Sequence, residues 1–189
     1  RAGLLSLRLT IRRFDVKTKA NALAIAVFFG LCNWVGTAQA QEMTVVLEDP
    51  AWDGKTIPDG QQCAEYGGNG STPLITVQGI PEKANVILVE FNDESYEPLS
   101  TDGGHGIVGF DIVVGKGSAT LLSIPGDTTT LPNGVWIEEE NRDDIGVVGY
   151  LPPCSGGEGN LYSAKVFAVD YGSEGYKVLA ESYLQLGRY

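Results

Sequence analysis

The chain has one histidine, His105, in the stretch DGGHGIVGF at 102–110. Imidazole gains and loses its proton nearest neutral pH, so it can serve as acid, base or hydrogen-bond partner. Glycines on both sides leave the backbone open to close approach by a ligand. Two readings follow: a hydrogen-bonding group in a pocket, or a half-exposed loop histidine. A Ser-His-Asp hydrolase would have to use this residue as its base, yet no G-x-S-x-G elbow occurs in the chain. The acids of EEENRDD at 138–144 offer a carboxylate pair for glycoside chemistry only if a cleft sets their spacing; a solvated acidic loop is the simpler reading. GGNG at 67–70 lacks the G-K-[ST] ending of a phosphate loop, and NGS at Asn69 reads as turn chemistry more than as a glycosylation acceptor.

A second constellation is GYLPPCSGGEGNLYSAKVFAVD at 149–170. It packs an aromatic, two prolines, a cysteine and four glycines into one loop and then runs straight into a strand-like pattern. Prolines fix the backbone without offering N–H donors, and glycines leave it open to close approach. With Cys32 set aside as part of a leader, Cys63 and Cys154 remain. In an oxidising compartment they read as one disulfide, closing a loop of about 90 residues and constraining the unfolded chain by roughly 4–5 kcal/mol. Two buried thiols are the alternative. Two cysteines and one histidine are too few for a standard structural zinc site. No metal and no cofactor are expected.

The elements that must position these groups begin after residue 40. Residues 1–40 carry six basic residues and one acid, Asp15, and no charge falls between Ala20 and Gln41. A basic start, the apolar run ALAIAVFFGLC and the small-x-small site AQA at 38–40 describe a secretory signal peptide, with 41–189 as the exported domain. A retained anchor is the alternative, although Asn33, Gly36, Thr37 and Gln39 dilute the end of the run. Removing this segment from 13 basic and 24 acidic residues leaves 7 against 23, a net of −16. Such a surface repels phosphate backbones and anionic lipid, which argues against nucleic-acid partners and a bulk electrostatic membrane dock; no integral membrane insertion is expected once the leader is cleaved. The expected location is secreted or periplasmic.

Twenty-five glycines and nine prolines point to turns and strands rather than a helix bundle. MTVVLED at 43–49 reads as a strand, and ANVILVEF at 84–91 as a strand buried on both faces. GIVGFDIVVG at 106–115 and SATLLSIP at 118–125 read as a strand and its hairpin return across GKG. Residues 128–144 read as loop, and LYSAKVFAVD at 161–170 as strand. YKVLAESYLQLG at 176–187 is either a short helix or a strand. The sum is a single β-dominated domain.

Taken in order, the segments GKTIPDGQQC, GGNGSTPL, LVEFNDES, GHGIV, SIPGDTTTLPNGV, NRDDIGVVGYLPPC, GNLYSAKVFAVD and KVLAESYLQLGRY cover roughly 43–189. Together they resemble the phosphatidylethanolamine-binding, or Raf kinase inhibitor-like, proteins, in particular their bacterial branch. The resemblance implies a mainly β single domain, with a large central sheet packed with a smaller one and few short helices. It also implies a small anion-binding pocket walled by the Gly-Pro-rich loop. His105 matches the first pocket histidine, Pro153 and Cys154 the wall, and Tyr162 the pocket tyrosine. Asn160 replaces the second histidine. Asn92 and Glu94 fall on the family's two acids in an ungapped reading, and a one-residue slip would select Asp93 instead. Gly106 replaces the aromatic after the histidine. An insertion between GHGIV and SIPGDTT should lengthen that hairpin, and only YGSEG stands where a helix usually precedes the tail.

The function implied is a non-enzymatic binding protein holding a small anionic or polar ligand, such as phosphate or a phospholipid headgroup, near His105, Asn92 or Glu94, Pro153, Asn160 and Tyr162. The alternative from another class is an inhibitor or modulator of an extracytoplasmic partner protein such as a protease. A hydrolase using His105 as base is a third expectation.

Overall fold

ANVILVEF supplies the strand around which the larger sheet is built. The structure, a computed structural model, describes residues 42–143 and 145–189; the leader expected at 1–40 lies outside them. Numbering strands in chain order, β3 (Val86–Asp93) pairs antiparallel with β4 (Ile107–Asp111) on one side and with β7 (Leu161–Gly172) on the other. β6 (Val135–Glu139) and β8 (Gly175–Arg188) complete a five-stranded sheet in the order β6-β4-β3-β7-β8. β1 (Thr44–Leu47), β2 (Ile75–Gln78) and β5 (Ser118–Leu121) form a second sheet in the order β1-β2-β5. Helical structure among the described residues is confined to two single 3-10 turns, Ala64–Tyr66 and Glu97–Leu99. The mainly β class and the pairing of a large sheet with a small one are as expected.

The continuous apolar run of β3 follows from burial on both faces. Side chains alternate along a strand. Ile87, Val89 and Phe91 face the main core with Val108 and Phe110 of β4, Ala164, Val166 and Ala168 of β7, and Ile75, Val77 and Leu121 from the smaller sheet. That core lies between the two sheets. Val86 and Leu88 face the other way, with Ile107, Val169 and the partly buried Trp136, Phe167 and Tyr171. Burying each such side chain stabilises the fold by about 1.5–3 kcal/mol.

Two sequence expectations need correction, and one left open is decided. The segments at 106–115 and 118–125 do not form a hairpin. β4 has β6 as its outer neighbour, whereas β5 pairs with β2, placing Leu121 opposite Ile75. The chain turns at Val113–Lys116 and crosses between sheets, and the carbonyl of Gly117 accepts from Ile80 N–H, just beyond the end of β2. Leu121 is thereby buried in the core, which a return beside β4 would not achieve. The segment read as loop at 128–144 contains β6, because the exposed edge of β4 needs backbone partners. The ambiguous 176–187 is strand: Ser182, Leu184 and Leu186 are more buried than Glu181, Tyr183 and Gln185, a period of two. It returns along β7 across a two-residue connection, Ser173–Glu174, so a helix before the tail is indeed missing.

Cys63 and Cys154 form a disulfide. It ties the turn at Ala64–Tyr66 to the proline-rich loop, and Cys63 N–H donates to the Pro153 carbonyl beside it at 2.9 Å. Reduction, or the double substitution Cys63→Ser and Cys154→Ser, is expected to lower the free energy of unfolding by about 2–5 kcal/mol in denaturant titrations. An unchanged midpoint would show that the bond does not constrain the unfolded chain.

Candidate functional site

β3 and β7 meet in a register that sets Asp93 directly opposite Tyr162. Cross-strand partners share a face, so the carboxylate and the phenol emerge together. Asn92 is paired with Ser163 and belongs to the opposite face. The same alternation removes Glu94, which is exposed and accepts from Tyr183 Oη at 2.9 Å. The acid at this position is therefore Asp93, buried at 3 % exposure.

His105 reaches the same face through an irregularity. Phe91 N–H donates to the Gly106 carbonyl, and His105 N–H donates to the Phe91 carbonyl. Two residues thus oppose one, as in a β-bulge, and the extra residue re-aims the side chain. Gly106 makes this turn at φ 105°, and a Cβ there would lie 3.0 Å from the Gly149 carbonyl oxygen. An aromatic side chain at 106 would meet the proline loop, so the glycine and the tight loop go together. His105 meets Tyr162 edge-on, with ring centroids 5.3 Å apart and planes at 86°.

The proline loop fixes the imidazole. Leu151 N–H donates to the His105 carbonyl at 2.9 Å. In return, His105 Nδ1–H donates to the Leu151 carbonyl at 2.8 Å. A carbonyl only accepts, so the neutral ring carries its proton on Nδ1 and presents a lone pair at Nε2. Among the described residues no fully buried side-chain nitrogen or oxygen lacks a partner. Nε2 has no described partner, so it opens onto the hollow that His105 helps line. The histidine is only 2 % exposed. Burial pulls its pKa below the ordinary 6.5, opposed by the Leu151 carbonyl and by Asp93 and Asp143.

The hollow measures about 360 Å³. Its floor includes His105, Tyr162 and Asp93, and its rim includes Glu65, Tyr66, Tyr96, Asp143 and Glu158. Tyr162 Oη accepts from Cys154 N–H at 3.0 Å. Burial first, and Asp93 with it, raises the Tyr162 pKa, so the phenol stays protonated and has its own proton to donate. Asn160 Nδ2 donates to Asp93 Oδ2 at 2.7 Å, and Ser95 N–H donates to Asp93 Oδ1 at 2.9 Å. Asn160 thus orients the acid while lining the hollow itself.

Of the residues expected at the site, His105, Tyr162, Asn160 and Cys154 converge on this hollow, and three do not line it. Glu94 points elsewhere, as described. Asn92 is buried and accepts from Gly104 N–H through Oδ1 at 3.1 Å, holding the loop that carries the histidine. Pro153 is buried behind the wall, where its carbonyl receives Cys63 N–H; Cys154 and Ser155 form the surface instead. The lining residues Glu65, Tyr66 and Tyr96 carried no signal in the sequence, because a surface turn betrays nothing of what it faces. Asp143 belongs to the acidic run read as solvated loop, yet it is half-buried and lines the hollow. Next to it Arg142 donates to the carbonyls of Thr101 and Asp102, pinning the 97–104 segment.

The chain matches no family model, and no curated protein matches it at a significant level. Among solved structures it is similar to the phosphatidylethanolamine-binding protein homologue CT736 from Chlamydia trachomatis D/UW-3/CX, with a TM-score of 0.50 and 20 % identity over 79 % of this chain and 97 % of that one. At that identity the likeness establishes the fold, which is the phosphatidylethanolamine-binding-protein-like single domain expected from the ordered motifs.

Two outcomes test this geometry. Gly106→Ala places a side chain at a backbone angle that L-residues rarely adopt and is expected to destabilise the fold by roughly 1–3 kcal/mol in chemical denaturation. An unchanged stability would remove the bulge from the account. The second concerns pH. The folded state holds His105 with a lowered pKa, so on acidification the unfolded chain takes up a proton first. Stability from this group is present above pH 6.5 and is lost as the pH falls below it, by up to about 1.4 kcal/mol per pH unit. Denaturation between pH 7 and 5.5 should show this slope, and His105→Gln should flatten it.

Proposed function

We propose that this chain is an exported, non-enzymatic binding protein that holds a small polar ligand in the His105–Tyr162 hollow. The observation that carries the reading is the convergence of a buried imidazole with an open Nε2, a protonated phenol and an oriented carboxylate in one concavity braced by a disulfide and two prolines. Few convergent polar groups in a preformed hollow are the usual makeup of a small-molecule site. The fold shared with a phosphatidylethanolamine-binding protein homologue is in keeping with ligand binding. Export is supported by the disulfide, which suits an oxidising compartment.

The arrangement favours binding over catalysis. Nδ1 of His105 is tied to a backbone carbonyl rather than to a carboxylate, so the ring lacks the orienting acid of a triad. Ser155, the hydroxyl nucleophile closest in type to a hydrolase serine, lines the hollow but donates to the Tyr189 carbonyl at 2.7 Å. It is not coupled to the imidazole.

Thermal-shift assays of the full chain against phosphomonoesters, carboxylates, amines and polyols at millimolar concentration test the reading. At least one class should raise the melting temperature and move the His105 ring resonances, which are unique in the spectrum. Glu158→Trp, placed on the exposed rim to block the mouth, should abolish both responses. If no class disturbs His105, or if the blocked variant responds equally, the hollow is not a binding site.

A further inference from the structure

The lining of the hollow is charged in one sense only. Asp93 stands at its floor, and Glu65, Asp143 and Glu158 stand around it, with no lysine or arginine among the lining residues. The arginines of adjoining segments are occupied: Arg142 donates to the Thr101 and Asp102 carbonyls, and Arg188 donates to the Gly159 carbonyl. The second observation is independent of these acids. His105, 2 % exposed, aims an unpartnered Nε2 lone pair into the hollow, because its one ring proton is held by the Leu151 carbonyl. An anionic oxygen placed there would meet a lone pair and four carboxylates. A group with N–H donors and positive charge would meet acceptors on several sides.

We propose that the hollow selects a small organic cation carrying N–H donors, a primary ammonium or a guanidinium, over an anion such as phosphate. This rests on the hollow being the binding site. One N–H donates to His105 Nε2, and a second to Asp93. Each Asp93 oxygen already accepts one bond, from Ser95 N–H or Asn160 Nδ2, and retains a further lone pair. Tyr66, Tyr96 and Tyr162 line the same space, and aromatic rings attract cations rather than anions. Burial works in the same direction, since it keeps the imidazole neutral and therefore an acceptor. The replacement of a second histidine by Asn160 also fits, because the amide turns its N–H toward Asp93 and leaves no second imidazole to become cationic.

The test uses the full chain at pH 7.5 and constant ionic strength, following the His105 Nε2 nitrogen resonance. Four probes are titrated separately: n-butylammonium, methylguanidinium, tetramethylammonium and inorganic phosphate. Butylammonium and methylguanidinium should move the resonance saturably. Tetramethylammonium, which has charge but no N–H, should bind about tenfold more weakly. Phosphate should leave the resonance in place. A response to phosphate with none to the two donors overturns the cation assignment while the hollow stands as a binding site. Silence with all four overturns the site itself. Equal binding of tetramethylammonium overturns the hydrogen bond to Nε2. Glu65→Gln and Glu158→Gln, on exposed rim positions that the fold does not depend on, should each weaken butylammonium by about threefold or more. Unchanged affinity in both contradicts the role of the rim charges.

Discussion

The pair of hydrogen bonds between His105 and Leu151 joins two parts of the chain that nothing local brings together. One bond runs from the Leu151 amide to the His105 carbonyl, and the other from the imidazole to the Leu151 carbonyl. The first extends the sheet's backbone bonding onto the proline loop. The second decides the tautomer, and with it the character of the site. The bulge at Gly106 exists to aim the ring at Leu151. Pro152 and Pro153 fix their own φ and keep the residue before each of them extended, with no N–H of their own to satisfy. The disulfide and the bond from Cys63 to the Pro153 carbonyl keep the loop pressed against the turn at Ala64–Tyr66. Loosening any of these would release the imidazole from its acceptor and leave a buried polar group unpaired, at a cost of about 1–3 kcal/mol.

From this constraint the chemistry of the hollow follows. A neutral imidazole with its proton turned to the Leu151 carbonyl is an acceptor on its other side. Asp93 is an acceptor as well, and the strand register places it beside Tyr162 and within reach of Asn160. The rim adds negative charge, in line with the net of −16 for residues 41–189. The ordered motifs led to the expectation of a small anionic or polar ligand, since they speak for the path of the backbone. The polarity of a pocket depends on a few side chains, which the path of the backbone does not determine.

Much of the fold was legible because it rests on patterns that a strand imposes on its own residues. The run at 84–91 announced a strand covered on both faces, and the glycine and proline content excluded a helix bundle. The motif order led to the two-sheet domain, and His105, Tyr162, Asn160 and Cys154 were located from it. What stayed hidden depended on non-local pairing. Whether SATL returns beside β4 or crosses to β2 is decided by which side buries Leu121, and local sequence is silent on that. Whether Asn92, Asp93 or Glu94 faces the hollow is a matter of one residue in register, where a single slip reverses the face. Pro153 was read as wall surface because a motif does not distinguish the residue that shapes a turn from the one that lines it. Asp143 was read as solvated because its neighbours in sequence are.

The proton on the His105 ring is the most direct test of the account. A two-bond nitrogen–proton correlation spectrum of the full chain at pH 7 resolves both ring nitrogens of the only histidine. The account predicts a protonated Nδ1 and an unprotonated Nε2. A ring protonated on Nε2, or on both nitrogens at that pH, would contradict it.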